Sequence, residues 1–524
     1  MRLTRRQLIT AIGRAGGYGA AFATMQAMGL LAPPLRGEQT FEIPAGVGKN
    51  TKIVILGAGI AGLVSAYEMR KAGFDCTLLE ARGRPGGRNW TIRGGTKVEF
   101  VDGTVQNCEF GSGVYMNAGP GRLPAIYPTM LGYCRGLGVP LEVEVNTSRS
   151  ALVQNDGAFG GKPVELREAV NDTRGHVSEL LSKSIRRGAL DGEVTADDKE
   201  RMLAFLRQYG NLDFDFAYRG SERAGVAQLP GAGDRLEQLR EPLPMHALLD
   251  ADFWSGMLFE EELDQQATML QPVGGMDRIP YAFAQALGAI VKFNSPVKEI
   301  RKTAKGVRIV YADGASGGAT REIEADYCIC SLPIPILQQT PNDFSARVTA
   351  AMQGLHYDRA YKIAWESPRF WEREYHIYGG ISWLTRGPIG LIWYPSGGLF
   401  TERGVLVSGY EFTSERLNSV ASTLEEKFAA SRAAVEKLHP GHGRDLQKPI
   451  YVAWAQIPYS LGGWISIANL EAGYWSGPYN DFIVPDDRIY FAGDHCSHVV
   501  GWQEGAALSA RRAIGMIVER MREA

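Results

Sequence analysis

The chain has 524 residues, enough for two or three domains, and its 45% hydrophobic and 22% charged content is ordinary for a soluble globular protein. A formal net charge of −2 gives no sign of the basic patch that nucleic-acid binding normally needs. Six cysteines in a chain of this size do not make a disulfide framework.

The first 35 residues are predicted to be an export signal. Thr4-Arg5-Arg6-Gln7-Leu8-Ile9 matches the twin-arginine pattern, and a weakly apolar stretch rich in glycine and alanine follows it. Its glycines and Arg14 argue against a stable membrane span. We therefore expect a protein that is exported in the folded state and is periplasmic or secreted.

A strand, a glycine turn, a helix and a second strand are predicted after a polar linker over 36–50. Lys52–Leu56 is a short apolar run, typical of a strand buried on both faces. It leads into Gly57-Ala-Gly59-Ile-Ala-Gly62, and helical spacing follows over Leu63–Ala72. A second apolar run, Cys76–Leu79, ends at Glu80. This order is typical of a dinucleotide-binding unit.

Each glycine of the turn has a separate predicted role. Gly57 allows the tight turn, Gly59 lets backbone N–H groups approach a pyrophosphate, and Gly62 lets the helix pack close to the sheet. The helix N-terminus adds partial positive charge toward the phosphates. Glu80, 23 residues after Gly57, is placed to accept hydrogen bonds from an unphosphorylated adenosine ribose.

The residues that follow select the cofactor. Glu80-Ala81-Arg82-Gly-Arg84-Pro-Gly-Gly87-Arg88 resembles the ExRxRxGGR signature of the flavin amine oxidase superfamily. In that family the second glycine-rich turn and its last arginine hold the FAD pyrophosphate. The resemblance therefore implies FAD as the cofactor, where a nicotinamide enzyme would need no second basic turn.

The segment Phe110–Pro124 is similar to the family segment that lies against the flavin ring and binds a substrate carboxylate. Arg122 matches the arginine of that segment, and Gly121 precedes it. A planar guanidinium pairs with both carboxylate oxygens at once. Monoamine oxidases act on amines without a carboxylate and need no such arginine.

Residues 145–245 are predicted to be an inserted helical region that shapes the substrate entrance, with helices over Ala169–Arg187 and Ala196–Tyr209. In bacterial L-amino acid oxidases a similar insertion contributes to a dimer, so the resemblance implies a homodimer. The apolar segment that follows contains His246. This histidine either lines the active site or is a packing residue.

Three later segments continue the resemblance. Leu270–Ile279 is similar to the segment that opens the second part of the FAD domain, and a helix over Arg278–Leu287 and strands over 290–293, 297–300, 306–311 and 322–330 follow it. In the family, the residue that matches Val297 contacts the adenine through its backbone. Lys362 matches a lysine that holds the flavin N5 position through a water. Tyr394 lies close to the position of a carboxylate-binding tyrosine, which Ser396 occupies by spacing.

The end of the chain resembles the C-terminal family signature, in which a strand ends at an acid and a helix begins shortly after it. Gly493 and Asp494 would face the ribityl chain and phosphate, and the helix start near Gly501 and Trp502 would direct N–H groups at the flavin O2. Trp464 and Trp502 are expected to form aromatic walls around the substrate.

The predicted fold class is α/β, with an FAD-binding Rossmann-like (GR2-type) domain, a mixed-sheet substrate domain and the inserted helical region. The expected segments are the signal (1–35), the FAD domain (50–120, 271–335 and 476–524), the substrate domain (121–145, 246–270 and 336–475) and the insertion (146–245).

The candidate site residues fall into three groups, and no metal site is expected. The cofactor-binding candidates are Gly57, Ala58, Gly59, Ala61, Gly62, Glu80, Ala81, Arg82, Gly87, Arg88, Gly121, Arg122, Val297, Gly493, Asp494, Gly501 and Trp502. The substrate-binding candidates are Arg122, Tyr394, Trp464 and Trp502, and the catalytic candidate is Lys362.

The resemblance, strongest to bacterial L-amino acid oxidases, implies oxidative deamination of an L-amino acid. Hydride transfer from Cα–H to flavin N5 gives an imino acid, which hydrolyses to a 2-oxo acid and ammonia, and O2 is reduced to hydrogen peroxide. The expected partners are thus an amino acid and O2. Three alternatives stay open: a flavin monoamine or polyamine oxidase, an amino acid 2-monooxygenase, and a non-catalytic FAD protein.

Overall fold

The computed structural model describes residues 41–466 and 477–523. The predicted export signal lies outside these ranges, as does the end of the last substrate-domain segment. The described residues from 45 onward group into one compact unit. Within the described residues, no helix combines the length and the apolar character that crossing a membrane requires.

The helices and strands of these ranges are numbered in chain order. The helices are α1 (Ile60–Lys71), α2 (Pro128–Gly136), α3 (Leu166–Arg186), α4 (Ala196–Tyr209), α5 (Met245–Ala251), α6 (Trp254–Leu258), α7 (Arg278–Leu287), α8 (Ile334–Leu337), α9 (Ala346–Gly354), α10 (Phe370–Arg373), α11 (Glu415–Asn418), α12 (Leu424–Leu438), α13 (Pro478–Phe482) and α14 (Gln503–Glu523). The strands are β1 (Lys52–Leu56), β2 (Asp75–Leu79), β3 (Thr91–Ile92), β4 (Lys97–Glu99), β5 (Val105–Asn107), β6 (Met116–Asn117), β7 (Leu123–Pro124), β8 (Leu141–Glu144), β9 (Leu152–Gln154), β10 (Val164–Glu165), β11 (Val226–Gln228), β12 (Gln238–Leu239), β13 (Met269–Pro272), β14 (Val291–Lys292), β15 (Val297–Lys302), β16 (Val307–Asp313), β17 (Ala319–Ala325), β18 (Tyr327–Cys330), β19 (Tyr361–Pro368), β20 (Gly380–Leu384), β21 (Leu391–Tyr394), β22 (Arg403–Glu411), β23 (Gln447–Ala453) and β24 (Ile489–Phe491).

A five-stranded parallel sheet is assembled from distant parts of the chain, in the order β14-β2-β1-β18-β24. Four of the five residues of β1 and all of β18 are buried, as expected for apolar runs covered on both faces. Helix α1 connects β1 to β2 and packs against α7 and α14. The glycine turn therefore lies at the carboxyl edge of the sheet, where α/β proteins bind their ligands.

A seven-stranded mixed sheet forms the second layer, in the order β10-β9-β20-β21-β22-β19-β23. Strands β9 and β20 run parallel, and the other neighbours run antiparallel. Its buried face holds large side chains that include Trp365 and Tyr394, and Trp371 of α10 belongs to the same core cluster. Because side chains alternate between the faces of a strand, the other face of β19, β21 and β22 is available to line a cavity.

The predicted helical insertion contains α3 and α4, which pack against each other. Helix α4 has the predicted bounds, but α3 begins three residues before the predicted start. The cause is a capping box, in which Glu165 caps the helix and the side chain of Glu168 reaches back to the backbone of Glu165. Strand β9, near the beginning of the predicted insertion, pairs with β20 of the mixed sheet.

The prediction of one strand over 322–330 is wrong, because the structure divides this segment into two strands. β17 closes an antiparallel meander with β15 and β16, whereas β18 enters the parallel sheet. Asp326 separates them: its backbone N–H donates to the carbonyl of Lys52, and its carboxylate accepts from the backbone N–H of Lys52 at 2.7 Å. The chain therefore passes from the antiparallel meander to the parallel sheet at Asp326, where it first pairs with β1.

Candidate active site

The glycine turn between β1 and α1 has the geometry that its sequence predicts. Gly57 has a φ of +91°, which favours glycine. A Cβ on Gly62 would lie 1.9 Å from the carbonyl oxygen of Gly57, so only glycine lets α1 approach this closely. A Cβ on Gly59 would meet nothing within 4 Å, because this residue borders open space. No side chain therefore separates the backbone of Gly59 from the cavity that it borders.

Glu80 is held at the end of β2 by two backbone donors. Its carboxylate accepts from the N–H of Ala58 at 2.8 Å and from the N–H of Arg82 at 2.9 Å, and the residue is 3% exposed. An ionised carboxylate has about four acceptor positions, so these two bonds leave it able to accept from a ribose diol.

An ion pair joins the second basic turn to the end of the chain. Nη1 and Nη2 of Arg88 donate to Oδ2 and Oδ1 of Asp494, respectively. Asp494 also accepts from the backbone N–H of Gly501 at 3.1 Å. Burial would raise the pKa of Asp494, but the charge of Arg88 lowers it below its ordinary value. The pair fixes the loop before α14 against the loop after β2.

A cavity of about 360 Å³ runs along these loops and collects most of the predicted site residues. The predicted residues that line it are Gly57, Gly59, Ala61, Glu80, Ala81, Arg82, Gly87, Arg88, Gly121, Arg122, Val297, Lys362, Trp464, Gly493, Asp494, Gly501 and Trp502. Ala58 and Gly62 lie behind the lining, where the first donates to Glu80 and the second packs against the turn.

These residues fit a dinucleotide with a redox-active ring. The bare backbone at Gly59 and the N-terminal end of α1 can receive a pyrophosphate. The indole N–H of Trp464 is buried and has no hydrogen-bond partner among residues 41–466 and 477–523, which suits a donor that meets a bound group. At the other end, the first turn of α14 brings Gln503 and Ala506 to the cavity, where N–H groups can stabilise negative charge.

Arg122 lines the cavity beside Trp393 of the mixed sheet. Its Nη1 donates to Asn146 Oδ1 at 2.5 Å, and its guanidinium carbon lies 4.7 Å from the ring centroid of Trp393 and 5.4 Å from that of Phe259. No carboxylate forms an ion pair with it among residues 41–466 and 477–523. Several of its five N–H donors thus remain for a ligand.

Glu144 is the acid close to Arg122, and it is 3% exposed. Its Oε1 accepts from the Trp393 indole N–H at 3.1 Å. Burial raises the pKa of Glu144 to about 7, and the charge of Arg122 opposes this rise. A substantial fraction is therefore neutral at pH 7 and does not compete with a ligand for Arg122.

Lys362 comes from β19 and lies inside the cavity with 3% exposure. Its amine donates to the backbone carbonyls of Asn117 at 2.9 Å and Gly119 at 2.6 Å, and it lies 4.8 Å from the ring centroid of Tyr410. Burial, together with the smaller effect of the Arg122 charge, lowers the pKa of Lys362 to about 7. The amine therefore changes its charge near neutral pH.

The prediction that Tyr394 binds the substrate carboxylate is wrong in this structure. Tyr394 is fully buried, and its hydroxyl bonds Ser382 Oγ at 2.8 Å and His439 Nε2 at 2.6 Å. Strand alternation explains the error, because Trp393, one residue earlier, faces the cavity and Tyr394 faces the core. Ser396 is not a substitute, since its Oγ accepts from the backbone N–H of Val145.

Tyr394→Phe should therefore reduce stability without affecting substrate binding. The change removes the shared bonds to Ser382 and His439 and leaves buried polar atoms unsatisfied, which costs about 1–3 kcal/mol. We expect a lower Tm in thermal unfolding and a KM for substrate within about twofold of wild type. A large rise in KM at unchanged Tm would restore the original assignment.

The two predicted tryptophans line the cavity. The rings of Trp464 and Phe412 lie edge to face with centroids 5.0 Å apart. The Trp502 indole N–H donates to Asp264 Oδ2 at 2.8 Å, and its ring lies 5.5 Å from that of Tyr127. His246, by contrast, is exposed on α5 and does not line the cavity.

Several cavity residues were not predicted from the sequence. Those on strands and their ends, Trp393, Tyr410 and Phe412, could have been found from the alternation of β21 and β22. Those of the loop after α6, Glu262, Asp264 and Gln265, carry no signal, because no periodicity marks which side chains of a loop turn inward.

The fold and the cavity define an α/β protein that binds a dinucleotide. Residues 60–514 match the family model described as "Flavin containing amine oxidoreductase". The chain therefore belongs to the flavin-containing amine oxidoreductase family, and its cofactor is FAD. The predictions of this superfamily, of the α/β fold class and of FAD are confirmed.

Relatives with sequence similarity bear the name L-amino-acid oxidase. A protein of Bacillus subtilis (strain 168), provisionally named L-amino-acid oxidase YobN, is 26% identical over 490 residues, which cover 88% of this chain and 93% of that protein. The L-amino-acid oxidase of Mus musculus is 27% identical over 503 residues, covering 89% of this chain and 70% of its own. That of Siganus canaliculatus is 25% identical over 476 residues, covering 89% and 85%.

Solved structures of amine oxidases share the fold. Putrescine oxidase bound to putrescine is similar with a TM-score of 0.58 at 16% identity, covering 89% of this chain and 99% of that one. Cyclohexylamine oxidase from Brevibacterium oxydans IH-35A has a TM-score of 0.59 at 16% identity, covering 90% and 99%. At this identity the likeness concerns the fold.

Proposed function

We propose that this enzyme is an FAD-dependent L-amino acid oxidase that converts an L-amino acid to a 2-oxo acid, ammonia and hydrogen peroxide. The observation that carries the proposal is the guanidinium of Arg122, which lines the cavity without an ion pair among the described residues. A cation in such a place favours an anionic ligand, and the planar fork fits a carboxylate. A simple amine would leave Arg122 unpaired and would add a second positive charge.

The protein groups around the substrate bind and orient it. Asn146 holds one nitrogen of Arg122, and Trp393 packs against the guanidinium, so the fork is fixed before the substrate arrives. Trp464 and Trp502 present rings to the same space. When bound, FAD supplies the two-electron oxidation of the substrate Cα–N bond and the reaction with O2.

Lys362 is proposed to hold a proton or a water at the reacting end of the cavity. Two backbone carbonyls fix its amine, and no carboxylate neutralises it among the described residues. With a pKa of about 7, the amine above this pH has a free lone pair that can accept a hydrogen bond. No other side chain needs to act as a base if the substrate binds with its own amine neutral.

The pH dependence of turnover tests this role. Lys362 is mainly charged at pH 6 and mainly neutral at pH 8, so we expect kcat for an L-amino acid to rise across this interval. Lys362→Met should lower kcat and lack this rise. Lys305→Met, at an exposed turn, is the control. If kcat of Lys362→Met still rose between pH 6 and pH 8 as in the wild type, the rise would belong to another titrating group.

A peroxide-release screen of the purified flavoprotein over the twenty L-amino acids, tyramine and putrescine tests the function. Peroxide with a matching amount of 2-oxo acid supports the proposal. Peroxide from the amines alone would indicate an amine oxidase, and an amide product with little peroxide would indicate a 2-monooxygenase. A flavin that no substrate bleaches under anaerobic conditions would indicate a non-catalytic protein.

Export and dimerisation form part of the same proposal. The twin-arginine pattern at Thr4–Ile9 supports export, and a folded flavoprotein is suited to this route. Exposed apolar side chains on the helical insertion, Leu180 and Phe205, are compatible with a homodimer. Cell fractionation and light scattering measure these two properties.

A further inference from the structure

The loop after α6 brings two carboxylates to the substrate side of the cavity. Glu262 and Asp264 both belong to the lining, Glu262 exposed and Asp264 half-buried. The hydrogen-bond partners of the Asp264 carboxylate are neutral: the Trp502 indole N–H at 2.8 Å and the Gln265 side-chain amide at 3.2 Å. In the described ranges, no lysine, arginine or histidine forms an ion pair with either acid.

The other two acids of the lining differ from this pair. Glu80 accepts from backbone N–H groups at the nucleotide end, and Asp494 is neutralised by Arg88. Within the described parts of the chain, Glu262 and Asp264 therefore line the cavity without an ion-pair partner. Their position also differs, because a hydrogen bond from Asn146 to the neighbouring Gln265 links their loop to Arg122.

Hydrogen bonds fix Asp264 relative to Arg122. Asn146 accepts from Arg122 through its oxygen and donates through its nitrogen to the backbone carbonyl of Gln265 at 2.7 Å. Gln265 is 9% exposed and directly follows Asp264. The opposite charges of Arg122 and Asp264 are thus held in one connected network along one side of the cavity.

We propose that the cavity selects L-amino acids with a cationic side chain, whose carboxylate binds Arg122 and whose side-chain cation binds Asp264. This inference rests on the proposed function. Trp502 lines the same part of the cavity, and its indole N–H fixes the position of the Asp264 carboxylate. Glu262 adds a weaker attraction because it is exposed to solvent. A diamine satisfies Asp264 but leaves Arg122 unpaired, so it fits the charge pattern less well.

The test compares L-arginine with L-citrulline, which has the same chain length and a neutral urea group in place of the guanidinium. We expect the wild-type holoenzyme to favour L-arginine by about 10- to 100-fold in kcat/KM, the effect of one charge-assisted hydrogen bond. In Asp264→Asn, which keeps an acceptor for Trp502, this ratio should fall to within about threefold of one. Glu262→Gln should reduce it by about twofold.

Glu261→Gln is the matched control, because Glu261 neighbours Glu262 and does not line the cavity. The ratio of kcat/KM for L-arginine to that for L-citrulline should be the same in this variant as in the wild type. The flavin spectrum and the Tm of each variant show whether it is folded. Equal kcat/KM values for L-arginine and L-citrulline in the wild type would overturn the inference, as would an unchanged ratio in Asp264→Asn. Oxidation of neutral amino acids alone would leave the proposed function intact, whereas no oxidation of any amino acid would refute the function itself.

Discussion

Arg122→Ala is expected to raise the KM for L-amino acids steeply and to reduce kcat/KM by about 100-fold or more. Removing one partner of a desolvated, hydrogen-bonded charge pair costs about 2–5 kcal/mol, and every 1.4 kcal/mol is a factor of ten. The loss should appear mainly in KM if the guanidinium binds substrate and transition state equally. Steady-state kinetics with an oxidisable L-amino acid and its decarboxylated amine measure the effect.

Two comparisons separate carboxylate binding from a structural role of Arg122. Arg122→Lys keeps the charge but loses the planar fork, so its activity should lie between that of wild type and Arg122→Ala. Arg135→Ala, on the exposed part of α2, should have wild-type kinetics. The decarboxylated amine should react no worse in Arg122→Ala than in wild type. A KM that barely changes would show that the carboxylate binds elsewhere.

The nucleotide end of the site could be predicted from the sequence because its information is local. The turn at Gly57–Gly62 needs glycine for reasons of backbone geometry and close packing, and Glu80 follows from the length of one helix and one strand. The pairing of Arg88 with Asp494 is different, since 406 residues separate them. Each was named as a cofactor contact through the family resemblance, and no pattern in the sequence indicates that they pair.

The substrate end was harder to predict because its residues depend on strand register and loop conformation. Tyr394 was chosen by its distance along the chain, and one step in a strand moved it from the cavity to the core. Asp264 lies in a loop, where neither of the regular periodicities indicates orientation. The acids that we propose to select the substrate therefore could not be identified from the sequence, whereas Arg122 could be identified from its motif.

Adding a side chain at Gly59 or at Gly62 should have two different effects: loss of FAD binding at Gly59 and loss of folding at Gly62. Gly59 has a φ of −70°, which any residue adopts, and its missing Cβ faces open space. Gly59→Val should therefore fold, but its side chain would occupy the space into which the pyrophosphate must fit. At Gly62 the same substitution places Cβ 1.9 Å from a backbone oxygen, so the sheet and α1 cannot pack together.

We expect Gly59→Val to be a soluble, colourless protein whose Tm equals that of wild type stripped of FAD, because only the stabilisation by the bound cofactor is lost. Gly62→Val should yield little folded protein under the same conditions. The free-energy cost of such an overlap with the backbone exceeds the free energy of unfolding of a typical domain. Gly132→Ala, in α2 with nothing within 4 Å of the added Cβ, is the control and should bind FAD like wild type. Expression yield, the flavin absorbance of the purified proteins and thermal unfolding with and without added FAD distinguish the cases. A yellow Gly59→Val protein with wild-type Tm would show that the pyrophosphate does not bind at this turn.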